Sequence, residues 1–217
     1  LHNGSYGALE HAQSSYYYLP EGDIQQMGQT ILDVSAHEFF HVVTPLNIHS
    51  KEIGDFDFNK PKMSRHLWLY EGLTEYAAHH AQACAKGDAS EFMEKFSAKI
   101  TAMQSQFRQD LSFTKMSQGV LDRYKEEYAN VYEKGALLGF GLDLTLRKYS
   151  NGSYGTQAMM QDLSKKYGKN QSFNDPQLFK EIVASQKAFA QRAVKWEQDT
   201  IVSRRMAVNH FFGAKKA

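Results

Sequence analysis

Cysteine, proline and long apolar runs are all scarce in this chain of 217 residues. Its single cysteine, Cys84, excludes an internal disulfide and a cysteine-rich zinc site, and the apolar helix around it predicts a buried, small side chain. No run approaches the roughly 18 apolar residues that a membrane span requires. Neither sign of charge dominates, with 25 Lys and Arg against 24 Asp and Glu, so the charge gives no reason to expect nucleic acid or an anionic membrane as a partner.

The beginning of the chain also lacks two features. Residues 1–4 contain no initiating methionine and none of the basic and apolar regions of a signal peptide, so we expect a processed or excised part of a longer protein. One unpaired thiol is compatible with oxidising and reducing compartments alike, which leaves the bacterial cell envelope, the periplasm and the cytoplasm open. The hydrophobic content of 42% and the aromatic content of 13% are sufficient for a packed core.

The spacing of the apolar residues predicts a mainly α protein with a small β element, an α+β fold. Residues 6–19 are rich in Tyr and Ser and are expected to form one or two strands, and residues 47–65 read as a long polar loop. Residues 131–148 are strongly apolar, which predicts a buried central helix. The other helices are expected at about 24–43, 71–85, 89–108, 118–128, 155–167, 176–184 and 187–211.

The most informative stretch is H-E-x-x-H at residues 37–41. Residues four apart on a helix lie one above the other, so His37 and His41 can direct ring nitrogens at a single metal ion. Glu38 lies to the side, where it can reach a water molecule rather than the metal. The pattern therefore predicts a zinc site with Glu38 as the general base, provided that the chain supplies further support.

A catalytic zinc keeps three protein ligands, so one more must come from elsewhere in the chain. Glu71 is the candidate, because a carboxylate in an apolar run is costly to bury unless a partner such as a metal offsets the cost. The alternative is that Glu71 caps a helix N-terminus. Glu75, one turn later, either accepts a hydrogen bond from the second nitrogen of His37 or is an ordinary solvated charge.

Four motifs in this order resemble the glycyl aminopeptidase family of zinc metallopeptidases, which are gluzincins with a thermolysin-like catalytic domain. The motifs are Gly-Ala-Leu-Glu-His at 7–11 (the family has Gly-Gly-Leu-Glu-His), H-E-x-x-H at 37–41, Trp-x-x-Glu-Gly at 68–72 and Tyr-Glu-Lys-Gly at 132–135. The resemblance fades after about residue 184. We therefore expect a catalytic domain over residues 1–185 and a helical tail of different character over residues 186–217.

The resemblance implies roles for two further residues. It gives Tyr132 the stabilisation of the oxyanion, whereas the residue alone reads as a core aromatic side chain. It gives Glu10 the binding of the free α-amine of the substrate, and the alternative is a surface charge on a strand. It also implies one zinc ion per chain, a peptide substrate and, in a longer protein, a preceding β-rich domain and a following PDZ domain.

These observations leave three hypotheses about function. The first is a zinc aminopeptidase that removes a small N-terminal residue, Gly or Ala, and the second is a zinc endopeptidase of the same fold in which Glu10 binds no charged group. The third is a domain that binds a metal or a peptide without catalysis. The intact Glu38 argues against the third, since a pure binding domain has no need of that carboxylate.

Overall fold

The computed structural model describes residues 6–185 and confirms a mainly helical fold with a small sheet. The sheet is one antiparallel hairpin in which strand β1 (Gly7–Glu10) pairs with strand β2 (Ser15–Tyr18). Gly7 lies opposite Tyr18, and Glu10 lies opposite Ser15. The hairpin packs on the first helix, and alternate residues of both strands are partly buried, Glu10 among them.

Helix α1 (Ile24–Phe40) carries the H-E-x-x-H motif on its last turn. It begins after Asp23, whose carboxylate accepts a hydrogen bond at 2.7 Å from the backbone N–H two residues further on, which caps the helix. It ends three residues before the predicted boundary, because Pro45 has no N–H to donate and the residue before a proline avoids the helical conformation. His41 is therefore the C-cap residue of α1.

The other helices follow the predicted order with shifted ends. They are α2 (Lys51–Gly54), a π-helix (Trp68–Gly72), α3 (Leu73–Lys86), α4 (Ser90–Gln106), α5 (Phe113–Gly119), α6 (Asn130–Tyr149), α7 (Thr156–Ser164) and α8 (Leu178–Ser185), with 3₁₀ turns at Lys125–Glu127 and Asp175–Gln177. Within residues 6–185 no helix is both long and apolar enough to cross a membrane.

Two predicted elements differ from the structure. The polar loop at 47–65 contains the one-turn helix α2, and the helix expected at 118–128 is replaced by α5 and a 3₁₀ turn. The shift in the second case arises because Phe113 and Met116 are buried and anchor the earlier segment in the core. The helix expected at 187–211 lies outside the described residues.

Helix α6 is the centre of the core, as its apolar sequence predicts. Thirteen of its twenty residues are buried, and it packs against the π-helix, α3 and α4. Aromatic rings from α3, α4 and α6 meet beside it: Tyr76, Phe92, Phe96 and Phe140. The rings of Phe92 and Phe96 stack with their centroids 4.2 Å apart, so this side of the molecule is closely packed.

The π-helix and α6 cross at two glycines. A Cβ on Gly72 would lie 2.5 Å from the carbonyl carbon of Gly135, and a Cβ on Gly135 would lie 2.8 Å from the Cα of Gly72. Neither distance is tolerated between a side chain and a backbone, so the close approach requires glycine at both positions. The crossing brings Glu71, one residue before Gly72, close to Tyr132, three residues before Gly135.

The predicted burial of Cys84 was wrong, because its side chain is exposed. Tyr76, His80 and Cys84 follow each other at four-residue intervals along one face of α3. They pass from buried through partly buried to exposed, because the last turn of α3 extends beyond the core. Apolar neighbours in sequence therefore do not decide the burial of a residue near the end of a helix.

Candidate active site

Three side chains converge where the end of α1 meets the π-helix. His37 Nε2 lies 3.3 Å from Glu71 Oε2, and His41 Nε2 lies 3.6 Å from the same oxygen. The three residues offer ligand atoms that all lie within 4.8 Å of one another. Because zinc binds its ligands tetrahedrally at about 2.0–2.1 Å, two ligand atoms of one ion are separated by about 3.3 Å. The observed spacing fits one such ion.

The second nitrogen of each imidazole has an acceptor. His37 Nδ1 donates to Glu75 Oε2, and His41 Nδ1 donates to the backbone carbonyl of Thr44, both at 2.8 Å. A carboxylate or carbonyl oxygen can only accept, so both rings carry a hydrogen on Nδ1. Each Nε2 is thereby directed to the candidate metal site, an arrangement that hydrogen-bond acceptors behind a ligating histidine commonly produce. Glu75 is a partner of His37 and is not an ordinary solvated charge.

The charges of the site attract a cation. Burial lowers the pKa of His37, but hydrogen bonds to Glu71 and Glu75 and the charges of these carboxylates outweigh burial and raise that pKa to about 10. Burial raises the pKa of Glu71, but the adjacent imidazoles bring it below its usual value. The two carboxylates therefore favour positive charge at Nε2 of His37, where either a proton or a metal ion can provide it.

The π-helix positions Glu71. Its other residues are buried: Trp68, Leu69, Tyr70 and Gly72. The hydroxyl of Thr44 donates to the carbonyl of Leu69 at 3.1 Å, which ties the turn after α1 to the π-helix. Since π-helical turns are rare and concentrate at functional sites, the local geometry agrees with a special role for the one partly exposed residue in this turn.

Glu38 lies beside the three candidate ligands. Its Oε2 is enclosed and has no hydrogen-bond partner within residues 6–185. Burial is the main cause that raises the pKa of Glu38, the charges of His41 and His37 lower it, and the charge of Glu10 raises it again. The net effect is a raised pKa, which brings a carboxyl group closer to the value at which it both accepts and returns a proton.

Glu10 reaches the same site from the end of β1. Its carboxylate, that of Glu38 and the ring of His41 offer ligand atoms within 4.8 Å of one another. Two carboxylates at this spacing repel each other unless a positive charge or a proton lies between them. Glu10 and Glu38 therefore form an acidic pair next to His41.

Tyr132 contributes a hydroxyl from the first turn of α6. Its ring centroid lies 5.7 Å from that of His37. Burial is the main cause that raises its pKa, and the negative charge of Glu71 adds to the effect. The hydroxyl therefore stays protonated and can donate a hydrogen bond. Tyr132 is partly buried against the core, so the structural and catalytic interpretations both keep support.

Two residues that contact Glu75 were missed by the sequence reasoning. His79 Nε2 donates to Glu75 Oε1 at 3.0 Å, and Lys99 Nζ lies 2.9 Å from the same oxygen. His79 follows Glu75 by four residues and so lies on the same face of α3. Lys99 belongs to a buried stripe of α4 with Phe96 and Met103. A lysine in such a stripe needs an acidic partner, and this requirement was the feature of the sequence that could have indicated its ion pair.

A comparison with protein families decides the relationship of the chain. The model of the M61 glycyl aminopeptidase family matches residues 30–138, half of the chain. This chain belongs to the M61 glycyl aminopeptidase family. The matched region of this M61 protein contains all candidate site residues but one: His37, Glu38, His41, Glu71, Glu75 and Tyr132. Glu10 lies before it, so its assignment depends on the geometry and on the motif at 7–11.

A comparison with solved structures shows the fold. The chain is similar to the crystal structure of an aminopeptidase N family protein from Idiomarina loihiensis, with a TM-score of 0.80 and 20% identity. The similarity covers 96% of this chain and 38% of that chain, so this M61 protein spans well under half the length of the relative. A comparison with curated proteins found no match.

Proposed function

We propose that this M61 protein hydrolyses peptide bonds with the help of one zinc ion, held by Nε2 of His37, Nε2 of His41 and the carboxylate of Glu71. The observation that carries the proposal is the spacing of these atoms, 3.3 and 3.6 Å from the imidazoles to Glu71, which fits a tetrahedral ion. A zinc ion held there would supply a Lewis acid, which lowers the pKa of a water molecule and polarises a carbonyl group.

Three residues complete the proposed chemistry. Glu38 accepts the proton of the attacking water and returns it to the leaving amine, for which its raised pKa is suited. The protonated hydroxyl of Tyr132 donates to the oxyanion that develops on the scissile carbonyl. Glu75 holds the ring of His37 through the hydrogen bond to Nδ1. Zinc, the base and the donor together form the arrangement of a thermolysin-like gluzincin.

The acidic pair of Glu10 and Glu38 supports a preference for a free N-terminus. An α-ammonium group of a peptide supplies the positive charge that Glu10 and Glu38 attract, and Glu10 is not one of the three proposed zinc ligands. Together with membership in the glycyl aminopeptidase family, this favours release of a small N-terminal residue, Gly or Ala, over cleavage within a chain.

The substitution Glu38→Gln tests the proposed reaction. The amide cannot accept a proton from water, so hydrolysis of Gly-Phe-Ala should fall on the order of 10²–10⁴-fold. Elemental analysis should still find one zinc per chain, because Glu38 is not a ligand. Undiminished turnover in a variant that retains zinc would exclude Glu38 as the base, and a wild-type protein that binds no zinc would remove the whole proposal.

Blocked substrates separate the two modes of cleavage. Acetylation of the N-terminus of Gly-Phe-Ala removes the charge that Glu10 binds, so hydrolysis should be nearly abolished. Glu10→Gln should raise the KM for the free peptide while the zinc content stays the same. Equal rates on free and acetylated peptides would instead establish an endopeptidase and return Glu10 to an ordinary strand charge.

The substitution Tyr132→Phe removes one hydroxyl and almost no volume. If that hydroxyl stabilises the oxyanion, kcat should fall on the order of 10²–10³-fold with little change in KM. A loss confined to KM would make Tyr132 a substrate contact. Unchanged kinetics would leave it a residue of the core.

A further inference from the structure

The carboxylate of Glu75 has donors from three different elements. His37 of α1 occupies Oε2 at 2.8 Å, while His79 of α3 and Lys99 of α4 both occupy Oε1, at 3.0 and 2.9 Å. A carboxylate held at one oxygen by two donors from separate helices has little freedom to rotate. Its other oxygen is then directed at Nδ1 of His37, and that contact sets the orientation of the ring.

Lys99 occupies a position that no step of the proposed chemistry uses. Its side chain is 11% exposed, and it contacts none of the candidate metal ligands directly. Its ammonium lies 2.9 Å from Glu75 and 3.7 Å from Glu133, the residue that follows Tyr132. Burial of an ammonium group costs free energy unless the group is paired with an acid. Lys99 is therefore stable in this position only because Glu75 and Glu133 are held within reach of it.

We propose that Lys99 and His79 are positioning residues of the metal site, which act on His37 by holding the carboxylate of Glu75. The inference rests on the proposed zinc site. It adds that α3 and α4 decide the orientation of His37, a ligand on α1, although these two helices supply no ligand to the proposed metal. Lys99 also connects Glu75 with the turn of α6 that bears Tyr132. One ammonium group therefore links the partner of His37 to the segment that carries the hydroxyl of Tyr132.

Lys95 provides a matched control, because it lies one turn before Lys99 on the same helix. It forms ion pairs with Asp33 at 2.7 Å and Glu91 at 3.0 Å, and its side chain is 26% exposed. It has the same length and charge as Lys99 and links α4 to α1, whereas Lys99 links α4 to α3 and α6. Lys95 does not contact Glu75, and its partner Asp33 approaches Nδ1 of His79 only at 3.8 Å. Its replacement therefore removes an ion pair between helices and leaves all three donors of Glu75 in place.

The test compares zinc dissociation constants of the full chain, measured by competition with a chromophoric chelator. Lys99→Met keeps most of the side-chain volume and should weaken zinc binding about 10–100-fold, the usual range for the loss of such support. Lys95→Met should change it by about twofold or less, since this pair is partly exposed. Equal zinc affinities for wild type and Lys99→Met would overturn the inference, and so would an equal loss in Lys95→Met.

A double-mutant cycle separates positioning from general destabilisation. If Lys99 acts through Glu75, then Lys99→Met should no longer weaken zinc binding in the Glu75→Gln background. Additive losses in the two substitutions would contradict the proposed route. Urea unfolding of the metal-free variants, measured in parallel, reports any loss of fold.

A second set of variants keeps the inference testable if Lys99→Met does not fold. His79→Phe keeps a ring beside Phe96 and removes the donor to Glu75, whereas His79→Gln retains an N–H donor. The phenylalanine variant should bind zinc several-fold more weakly than the glutamine variant, and the reverse order would count against the inference. If wild type binds no zinc, the proposed function fails; if wild type binds zinc and these variants do so equally, only this inference fails.

Discussion

The two halves of the candidate site rest on regions with very different packing. Glu71 and Tyr132 lie on the π-helix and α6, and thirteen of the twenty residues of α6 are buried. His37 lies on α1, where it is the buried residue of Ile24–Phe40. Eight of the large apolar side chains that are exposed in the described part of the chain lie within residues 6–42: Tyr6, Leu9, Tyr16, Tyr18, Ile24, Leu32, Phe39 and Val42.

The difference shows that the two halves are held in place by different forces. Apolar burial and the glycine crossing fix the π-helix and α6. On the side of α1, hydrogen bonds hold the two imidazoles: His37 bonds the carboxylate of Glu75, and His41 bonds the carbonyl of Thr44. The position of the imidazoles therefore depends more on polar contacts than on the core.

Truncation of a leucine to alanine in each region tests whether the two regions differ in packing. Leu138 of α6 is 2% exposed, and Leu138→Ala should lower the free energy of unfolding by about 2–5 kcal/mol. Leu32 of α1 is 45% exposed, and Leu32→Ala should lower it by about 0.5 kcal/mol or less. Urea unfolding of the two variants measures both values, and similar losses would show that α1 is packed as firmly as α6.

Substitution of glycine by alanine should change the stability of the fold in opposite directions in the two regions. Gly72→Ala places a methyl group against the backbone of Gly135, so it should destabilise the fold by about 2–3 kcal/mol and weaken metal binding at the adjacent Glu71. Gly28→Ala, on α1, meets nothing within 4 Å and should stabilise the helix by about 0.5–1 kcal/mol. Thermal unfolding gives the two signs, and a stabilising Gly72→Ala would disprove the tight crossing.

Zinc should stabilise α1 more than α6. At a free zinc concentration of one hundred times the dissociation constant, binding adds about 2.7 kcal/mol to the stability of the folded state. Because the proposed ion would join α1 to the π-helix, hydrogen exchange should slow most at residues 24–40 and least in the interior of α6. Magnesium, which prefers oxygen ligands, is the control and should leave the exchange unchanged. Equal protection of both helices would mean that α1 is already fixed without the metal.

A polar contact in the well-packed region should give a smaller, pH-dependent effect. Burial raises the pKa of Asp143, but Arg147 and the N–H and hydroxyl of Thr156 lower it below its usual value. A lowered pKa adds stability above the pKa of the unfolded chain, and this stability is lost as the pH falls through the folded value. Asp143→Asn should thus cost about 1–2 kcal/mol at pH 7 and less in acid. A cost that is the same at both pH values would refute this account.

Local pattern was enough to predict the elements and the central residues of the candidate site. The helical spacing of apolar residues predicted α6 and, within three residues, the extent of α1, since both follow from one periodic stripe. The pair His37 and His41 follows from the rise of one helix turn, and Glu71 follows from the cost of burying a carboxylate without a partner. Each of these inferences depends either on residues that are close in sequence or on a single carboxylate that needs a partner.

Contacts between distant segments were decided only by the tertiary structure. The sequence offers Glu75 as a partner for His37, yet the choice between that role and a solvated charge depended on how α3 turns toward α1. Lys99 lies 24 residues beyond Glu75, and no local pattern in the sequence indicates which carboxylate it contacts. The exposure of Cys84 and the contact of Gly72 with Gly135 depend on where helices end and cross. The sequence alone determines the chemistry that is available and the periodic faces of the helices. The rotation and crossing of those helices determine which groups meet, because that arrangement minimises the free energy of the whole core and no single segment encodes it.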